Sequence, residues 1–471
     1  MGKEKGRKGS MLKLAKAAQK DLLAMARERS FWAPACHGWM QVLSREALTM
    51  AGSNACPLGL APARPGMRVE ASLAHLTVHM SPYALVEILM NTSLWEKAFS
   101  TMVVKAQEST LQQGAADDNY DGALKWITAE FLTPAPMAPR RHFSFVRFCM
   151  KLITAKSEHH TWVVVDVSKR SSSLLHLSHR RRPSGWIIAV DHNGYTVVTL
   201  VENVEVEDIN GGATEGGSSA YQSTVESCVA FGARRWASAL ERYDGRRHSF
   251  FLAELPCGVV QDFEMLGRMS KLGEDMVTAL YRNLNNSPTQ GTRSAADHHR
   301  GSEHMVLVVH GPKDKPVSTA VVTLPYRPID VFRFIITKYM KIRTGGEVEV
   351  LAHFPICVEG RSCLSQGPTN LFHFMDLLRT TKEGSIETIV QEAFFNSFES
   401  FVVYNRVAEN FGSMGDAPVS PFGFIIFPCD MNMNRSILTF STPIVRPVDS
   451  SPEKQLNEEL ARIVSGIKTG L

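Results

Sequence analysis

Apolar residues recur along this chain with two different periods, and the periods alternate in a fixed order. In "MLKLAKAAQKDLLAMA" they fall every three or four residues (Met11, Leu14, Ala15, Ala18, Leu22, Met25), marking one face of a helix. "HLTVHMSPYALVEILMN" then changes from strand-like alternation to a helix opened by Ser81-Pro82. Proline fits there because the first helical turn has no use for its missing N–H. "TWVVVDV" (Thr161 to Val167) and Trp186 to Val190 read as buried strands. A long helical stripe closes the first half, "YQSTVESCVAFGARRWASALERY", with Tyr221, Val225, Cys228, Gly232, Trp236 and Ala239 at helical spacing.

The same order returns downstream. "MLGRMSKLGEDMVTAL" repeats the first helix, "AVVTLPYRPIDVFRFII" sets Pro328 where Pro82 stands, and "SFVVYNRV" answers "TWVVVDV", with Phe401 aligned on Trp162. "SPFGFIIFP" repeats the Pro-x-Gly-aromatic-Ile-Ile of "RRRPSGWIIAV" without its arginines. "EKQLNEELARIVSGI", opened by Pro452, ends the second copy as the long stripe ends the first. Matches in one order predict a duplicated fold. Strands before a long amphipathic C-terminal helix predict an α+β class, each antiparallel sheet curling around its helix. Such a sheet can enclose an apolar cavity. The predicted division is a basic disordered tail over 1–10, one domain over 11–244 and a second over 245–471, with "RYDGRRHSF" as the boundary.

Composition narrows the function. Lys+Arg 51 against Asp+Glu 47 gives a net charge of +4, far below the basic excess of a dedicated nucleic-acid binder. The basic start and Arg180-Arg181-Arg182 read as solvated tail and loop charge. Apolar runs are too short for a membrane-spanning helix, and the N-terminus lacks the apolar core of a secretory signal. The eight cysteines form no Cys-x-x-Cys pair, which predicts a reduced, intracellular chain. "NGGATEGGSSA" reads as a flexible loop, not a phosphate cradle. His159-His160, His298-His299 and Asp117-Asp118 sit in polar loops without metal-site spacing or an apolar setting, so no enzyme, metal or cofactor is expected.

The residues "GALKWITAEF", "APRRHFSFVRFCMK", "WVVVDVS", "RRRPSGWIIAVDHNGYTVVTLVENVEV" and "FGARRW" give the first copy a resemblance to the START lipid-binding domain, in the version found in plant class IV homeodomain–leucine zipper transcription factors. The second copy resembles the START-adjacent region of that family through "GRMSKLGEDM", "TLPYRPIDVFRFI", "ETIVQEAFFNSFESFVVYNRV" and "PFGFIIFP". It departs at "FIITKYMKIRTGGE", where the family usually carries a tryptophan. Nothing here resembles a homeodomain or zipper, so DNA binding is not carried over.

The resemblance implies tandem helix-grip domains, a lipid or sterol ligand, a regulatory role among transcription-factor relatives, and residence in the nucleus or the cytoplasm. It also implies cavity walls at Trp126, Phe145, Val164, Trp186, Ile188 and Val198. Val225, Cys228, Gly232, Trp236 and Ala239 would line the grip helix, and Arg147 would reach a ligand's phosphate or carboxylate. Gly232, placed mid-helix, would leave room for ligand. One alternative is a protein-interaction module, its cavity unused, that modulates full-length relatives; another is direct nucleic-acid binding through Arg180 to Arg182.

Overall fold

The computed structural model describes residues 2–35, 40–44, 61–115, 120–132, 140–153, 160–169, 179–207, 230–249, 263–284, 305–310, 317–357, 372–382, 385–396, 398–407, 419–429, 432–443 and 452–470. Helix α1 (Gly2–Arg27) leads into β1 (Trp32–Ala35), β2 (Met40–Leu43) and β3 (Met67–Val78), then helices α2 (Pro82–Met90) and α3 (Thr92–Ala98). Strands β4 (Val103–Gln112), β5 (Leu124–Phe131), β6 (Arg141–Leu152), β7 (Thr161–Val167), β8 (Arg180–Arg181), β9 (Ser184–Val190) and β10 (Thr196–Glu207) precede helix α4 (Ala233–Ser249). The second half opens with α5 (Phe263–Leu284), β11 (Met305–His310) and β12 (Val317–Leu324). Helix α6 (Pro328–Phe334), a π turn (Ile335–Tyr339) and α7 (Met340–Thr344) follow. Then come β13 (Glu347–Cys357), β14 (Phe372–Lys382), β15 (Ser385–Phe395), β16 (Ser400–Val407), β17 (Phe422–Pro428), β18 (Ser436–Pro443) and α8 (Pro452–Gly470).

The two halves share one topology. The first sheet runs β1-β2-β3-β10-β9-β7-β6-β5-β4, with β8 also on β10, and the second β11-β12-β18-β17-β16-β15-β14-β13; the shared part is β3 to β4 in the first and β12 to β13 in the second, with antiparallel pairing. Each sheet is sandwiched. On the outer face of the first, Ala15, Ala18, Leu22 and Met25 of α1 pack against Val146, Val163, Val165 and Val201. On its inner face, Trp236, Ala237 and Leu240 of α4 meet Val164, Trp186, Ile188 and Val198. In the second copy α5 covers the outer face through Met276 and Leu280, while Leu460, Ile463 and Ile467 of α8 fill the inner one. Alternating strand positions therefore feed two different cores, which is why these strands read as nearly continuous apolar runs.

The repeated Pro-x-Gly-aromatic-Ile-Ile now has a physical reason. A Cβ on Gly185 would stand 2.1 Å from the Val164 carbonyl oxygen, and one on Gly423 would stand 2.4 Å from that of Val402. Both glycines lie where the strand crosses tightly over its neighbour, and Gly185 also holds φ +152°. The aromatic and second isoleucine that follow (Trp186, Ile188; Phe424, Ile426) face inward. Val165 pairs with Gly185 and Val403 with Gly423, so Trp162 is equivalent to Ser400. Aligning it with Phe401 is wrong by one residue, a slip that exchanges the faces of a strand.

Three other expectations are corrected. Residues 2–10 belong to α1 and do not form a disordered tail, since extending a nucleated helix costs little. The described grip helix starts at Ala233, not Tyr221; residues 221–229 lie outside the described residues. The proposed boundary at Asp244-Gly245 lies inside α4, where the Asp244 carboxylate accepts hydrogen bonds from the backbone N–H groups of His79 (2.8 Å) and Met80 (3.0 Å).

The two halves are joined through buried charge. Arg246 of α4, 2% exposed, pairs with Glu392 of β15, which also meets His373 Nε2 at 2.9 Å. Arg235 donates to the carbonyls of Thr101, Leu132 and Ala230 and lies 3.8 Å from Glu399, whose other partner is the Tyr281 hydroxyl at 2.8 Å. Phe398, Phe427 and Ile437 of the second half extend the core around α4. Burial raises the Glu392 carboxyl, but Arg246 and the His373 hydrogen bond outweigh it and bring it to about 2. Burial holds His373 down at about 4.

Two outcomes follow for stability. Gly423→Ala should cost about 2 kcal/mol or more in urea denaturation by forcing strands apart. Gly267→Ala, where an added Cβ meets nothing within 4 Å on helix α5, should raise stability by about 0.5–1 kcal/mol. Because the folded pKa of His373 is depressed, its contribution is present above the ordinary histidine range and lost as pH falls from about 6.5 to about 4. Thermal melts should show His373→Gln losing less Tm than the parent chain across that interval.

Candidate functional site

Strand alternation places Phe145, Val164, Trp186, Ile188 and Val198 on the inner face of the first sheet, all buried, in the same core as Trp236 and Ala239 of α4. Trp126 does not join them. It is half-buried on the opposite face, against the α1 core, because Ile127 takes the inward position on β5. Val225 and Cys228 lie outside the described residues. Gly232 is buried one residue ahead of α4, its carbonyl accepting from Arg235 N–H at 3.0 Å. It therefore makes no gap in a helical stripe. Ser72 of β3 caps the helix start instead, its hydroxyl accepting from Ala233 N–H at 2.8 Å.

The space beneath α4 is rich in rings. Trp95 of α3 stacks on Trp236 with centroids 5.9 Å apart and planes 2° from parallel. Phe99 and Phe131 approach Trp236 at 5.3 and 5.2 Å. Within this aromatic group lie charges. Arg147, 1% exposed, donates from Nε to Asp166 Oδ1 at 2.7 Å and from Nη2 to Oδ2 at 2.8 Å, with its guanidinium 4.3 Å from the Trp95 ring. The register makes this pair, since Arg147 and Asp166 are directly opposed on β6 and β7. A surface ion pair is thereby ruled out for Arg147. Its guanidinium does meet a carboxylate, supplied by the chain itself.

Arg181 of β8 joins the group. It is 2% exposed, donates from Nη2 to Glu202, and stands 3.7 Å from Asp166. Its guanidinium carbon is 5.2 Å from the Phe145 ring and 5.8 Å from that of Trp236. Its Nε and Nη1 make no hydrogen bond among the described residues. Burial raises the Glu202 carboxyl to about 7 against the pull of Arg181. Deeper along the sheet, Arg141 grips Glu70 through two hydrogen bonds of 2.7 and 2.8 Å. Removing one member of such a buried pair costs about 3–5 kcal/mol, whereas apolar replacement of both is often neutral.

The arginine run is therefore not a solvated loop. Arg182 is 3% exposed and bonds the Ala61 carbonyl, and Arg180 pairs with Glu205 at 2.8 Å. Asp166, Arg181 and Glu202 were legible in principle: each is a charged residue at an inward position of an alternating strand. The three arginines do not act as one block, because neighbours along a strand point to opposite sides. His159, His298, His299, Asp117 and Asp118 lie outside the described residues, and among those described no three His, Cys, Asp or Glu side chains gather as metal ligands. No described helix is long and apolar enough to cross a membrane.

Comparison with known proteins places this architecture. Residues 23–246 match the START domain model. The homeobox-leucine zipper protein HDG3 of Arabidopsis thaliana is 27% identical over 95% of this chain and 62% of its own length. HDG4 of the same plant is 28% identical over 77% of this chain and 50% of its own length. The chain thus spans about half to three-fifths of these relatives. The solved human StAR-related lipid transfer protein 5 aligns over 51% of this chain and 99% of its own, at 11% identity and a TM-score of 0.33. Residues 23–246 of the chain thus match a START domain, and the chain as a whole is similar to the plant class IV homeodomain–leucine zipper proteins.

Proposed function

We propose that this chain is a non-enzymatic START regulator that holds a lipid or sterol beneath α4. The reading rests on one observation: Arg181 Nε and Nη1 make no hydrogen bond among the described residues, although Nε stands 3.7 Å from Asp166, and they lie inside an aromatic interior beside the Arg147–Asp166 pair. Buried polar groups ordinarily satisfy their hydrogen bonds, so unspent donors in such a place suit the polar end of an otherwise apolar ligand. Phe145, Val164, Trp186, Ile188 and Val198 would contact its body, and Trp236 and Ala239 would cover it. Entry requires the Trp95–Trp236 stack to separate, which couples occupancy to the seating of α4. Ligand would favour one seating and thereby alter partner choice, in the nucleus, as part of transcriptional control like that of the homeobox relatives. The reading assigns no catalytic group and no cofactor.

A second reading is favoured by the same rings. If Trp95, Phe99 and Trp236 stay packed, the domain serves as an interaction module that modulates full-length relatives.

Native mass spectrometry of the purified chain separates the two. Ligand holding predicts an adduct in the lipid mass range; a clean apo mass, with no uptake from a lipid panel, favours the interaction module. The paired replacement Arg147→Met with Asp166→Leu should hold stability within about 2 kcal/mol while abolishing uptake.

A further inference from the structure

The second copy of the fold holds a cavity of about 760 Å³ between its closing helix α8, the α7 segment and one end of its sheet. That volume lies within the range of roughly 300–1,000 Å³ usual for small-molecule sites. Its origin is visible in the tandem plan. In the first copy, the helix following the proline-started one supplies Trp95, which fills the interior against Trp236, Phe131 and Phe145. In the second, the equivalent segment supplies Tyr339, Met340 and Arg343, and all seven tryptophans of the chain precede residue 245. Tyr339 fills the interior there against Phe424, Tyr404 and Phe440, and the cavity opens beside it, toward Arg343 and α8.

The walls select a ligand. Ile389, Phe422 and Ile463 are buried and form an apolar floor. Above them, Glu459 is fully engaged, accepting from the Tyr339 hydroxyl at 2.8 Å and from Arg343 at 2.5 Å, and the Arg343 guanidinium lies 4.1 Å from the Phe422 ring. Both signs of charge are less committed at the mouth. Arg462 donates to the Glu458 backbone carbonyl at 3.3 Å and makes no described contact with a carboxylate, and Arg406 meets Glu387 in an exposed pair at 3.3 Å. A purely anionic head would confront Glu458 and Glu387; a purely cationic one would confront Arg406 and Arg462. A head carrying both charges meets complements of each.

We propose that this cavity binds a small zwitterionic amphiphile, its charged head between the mouth arginines and glutamates and its apolar chain on Ile389, Phe422 and Ile463. The site is separate from the one beneath α4 and does not depend on that reading.

Isothermal titration of the full chain with decylphosphocholine below its micellar concentration tests it. The expected result is saturable binding, at least tenfold tighter than that of decyl sulfate or decyltrimethylammonium. Arg462→Ala should weaken it about tenfold, and Ile389→Trp should abolish it. Ser385→Trp, at the exposed lip, should also abolish it without touching the core, so the test survives should Ile389→Trp fail to fold. The Arg147→Met, Asp166→Leu chain should bind the probe as the parent does. Absence of saturable binding, equal affinity for all three probes, or indifference to Ser385→Trp would each overturn the proposal. So would loss of binding in the Arg147/Asp166 chain alone, which would put the probe beneath α4.

Discussion

Helix α4 serves two masters, and the molecule is organised around that double duty. Its apolar stripe closes the first sheet, while Arg235 and Arg246 reach carboxylates of the second half. A helix with one wet face could move with little cost. Here the far face is committed to buried ion pairs, and a guanidinium withdrawn from Glu392 or Glu399 would leave a carboxylate uncompensated in a dry setting. The seating of α4 is therefore fixed jointly by its own domain and by its neighbour. Gly273 on α5 marks the closeness of the fit, since a Cβ there would stand 2.3 Å from Glu392.

The two copies differ less in backbone than in what fills them. Strand order, the proline-started helices and the glycine of the close crossing are common to both. The first copy puts indoles and a charged group inside; the second puts phenyl and phenol rings there, with Phe424 stacked near Phe440 and Tyr339 against Phe424. Arg147 and Asp166 have Gln391 and Tyr404 at the matching register positions, so the ion pair belongs to the first copy alone. Duplication preserved the frame and released the contents.

Much of this was readable from periodicity. The proline positions, the limits of β7 and β16 and the outer helix α1 follow from alternation and helical spacing, because those signals are local. What escaped was set by tertiary contact. Trp126 carries the size and chemistry of a cavity wall, yet the pleat turns it outward. Gly232 sits in a run of helical spacing that the described helix enters only at Ala233. The arginine run shows the limit most clearly: Arg180, Arg181 and Arg182 are identical in sequence terms, yet only Arg181 is drawn toward the rings beneath α4. No propensity distinguishes them; only the carboxylates across the sheet do.

The passage of α4 through Asp244-Gly245 also constrains descent. With Arg246 of the closing helix paired to Glu392 and Arg235 lying 3.8 Å from Glu399, separating the repeats would leave buried charge uncompensated on each side. Recombination at the apparent junction would strand arginines on one product and acids on the other.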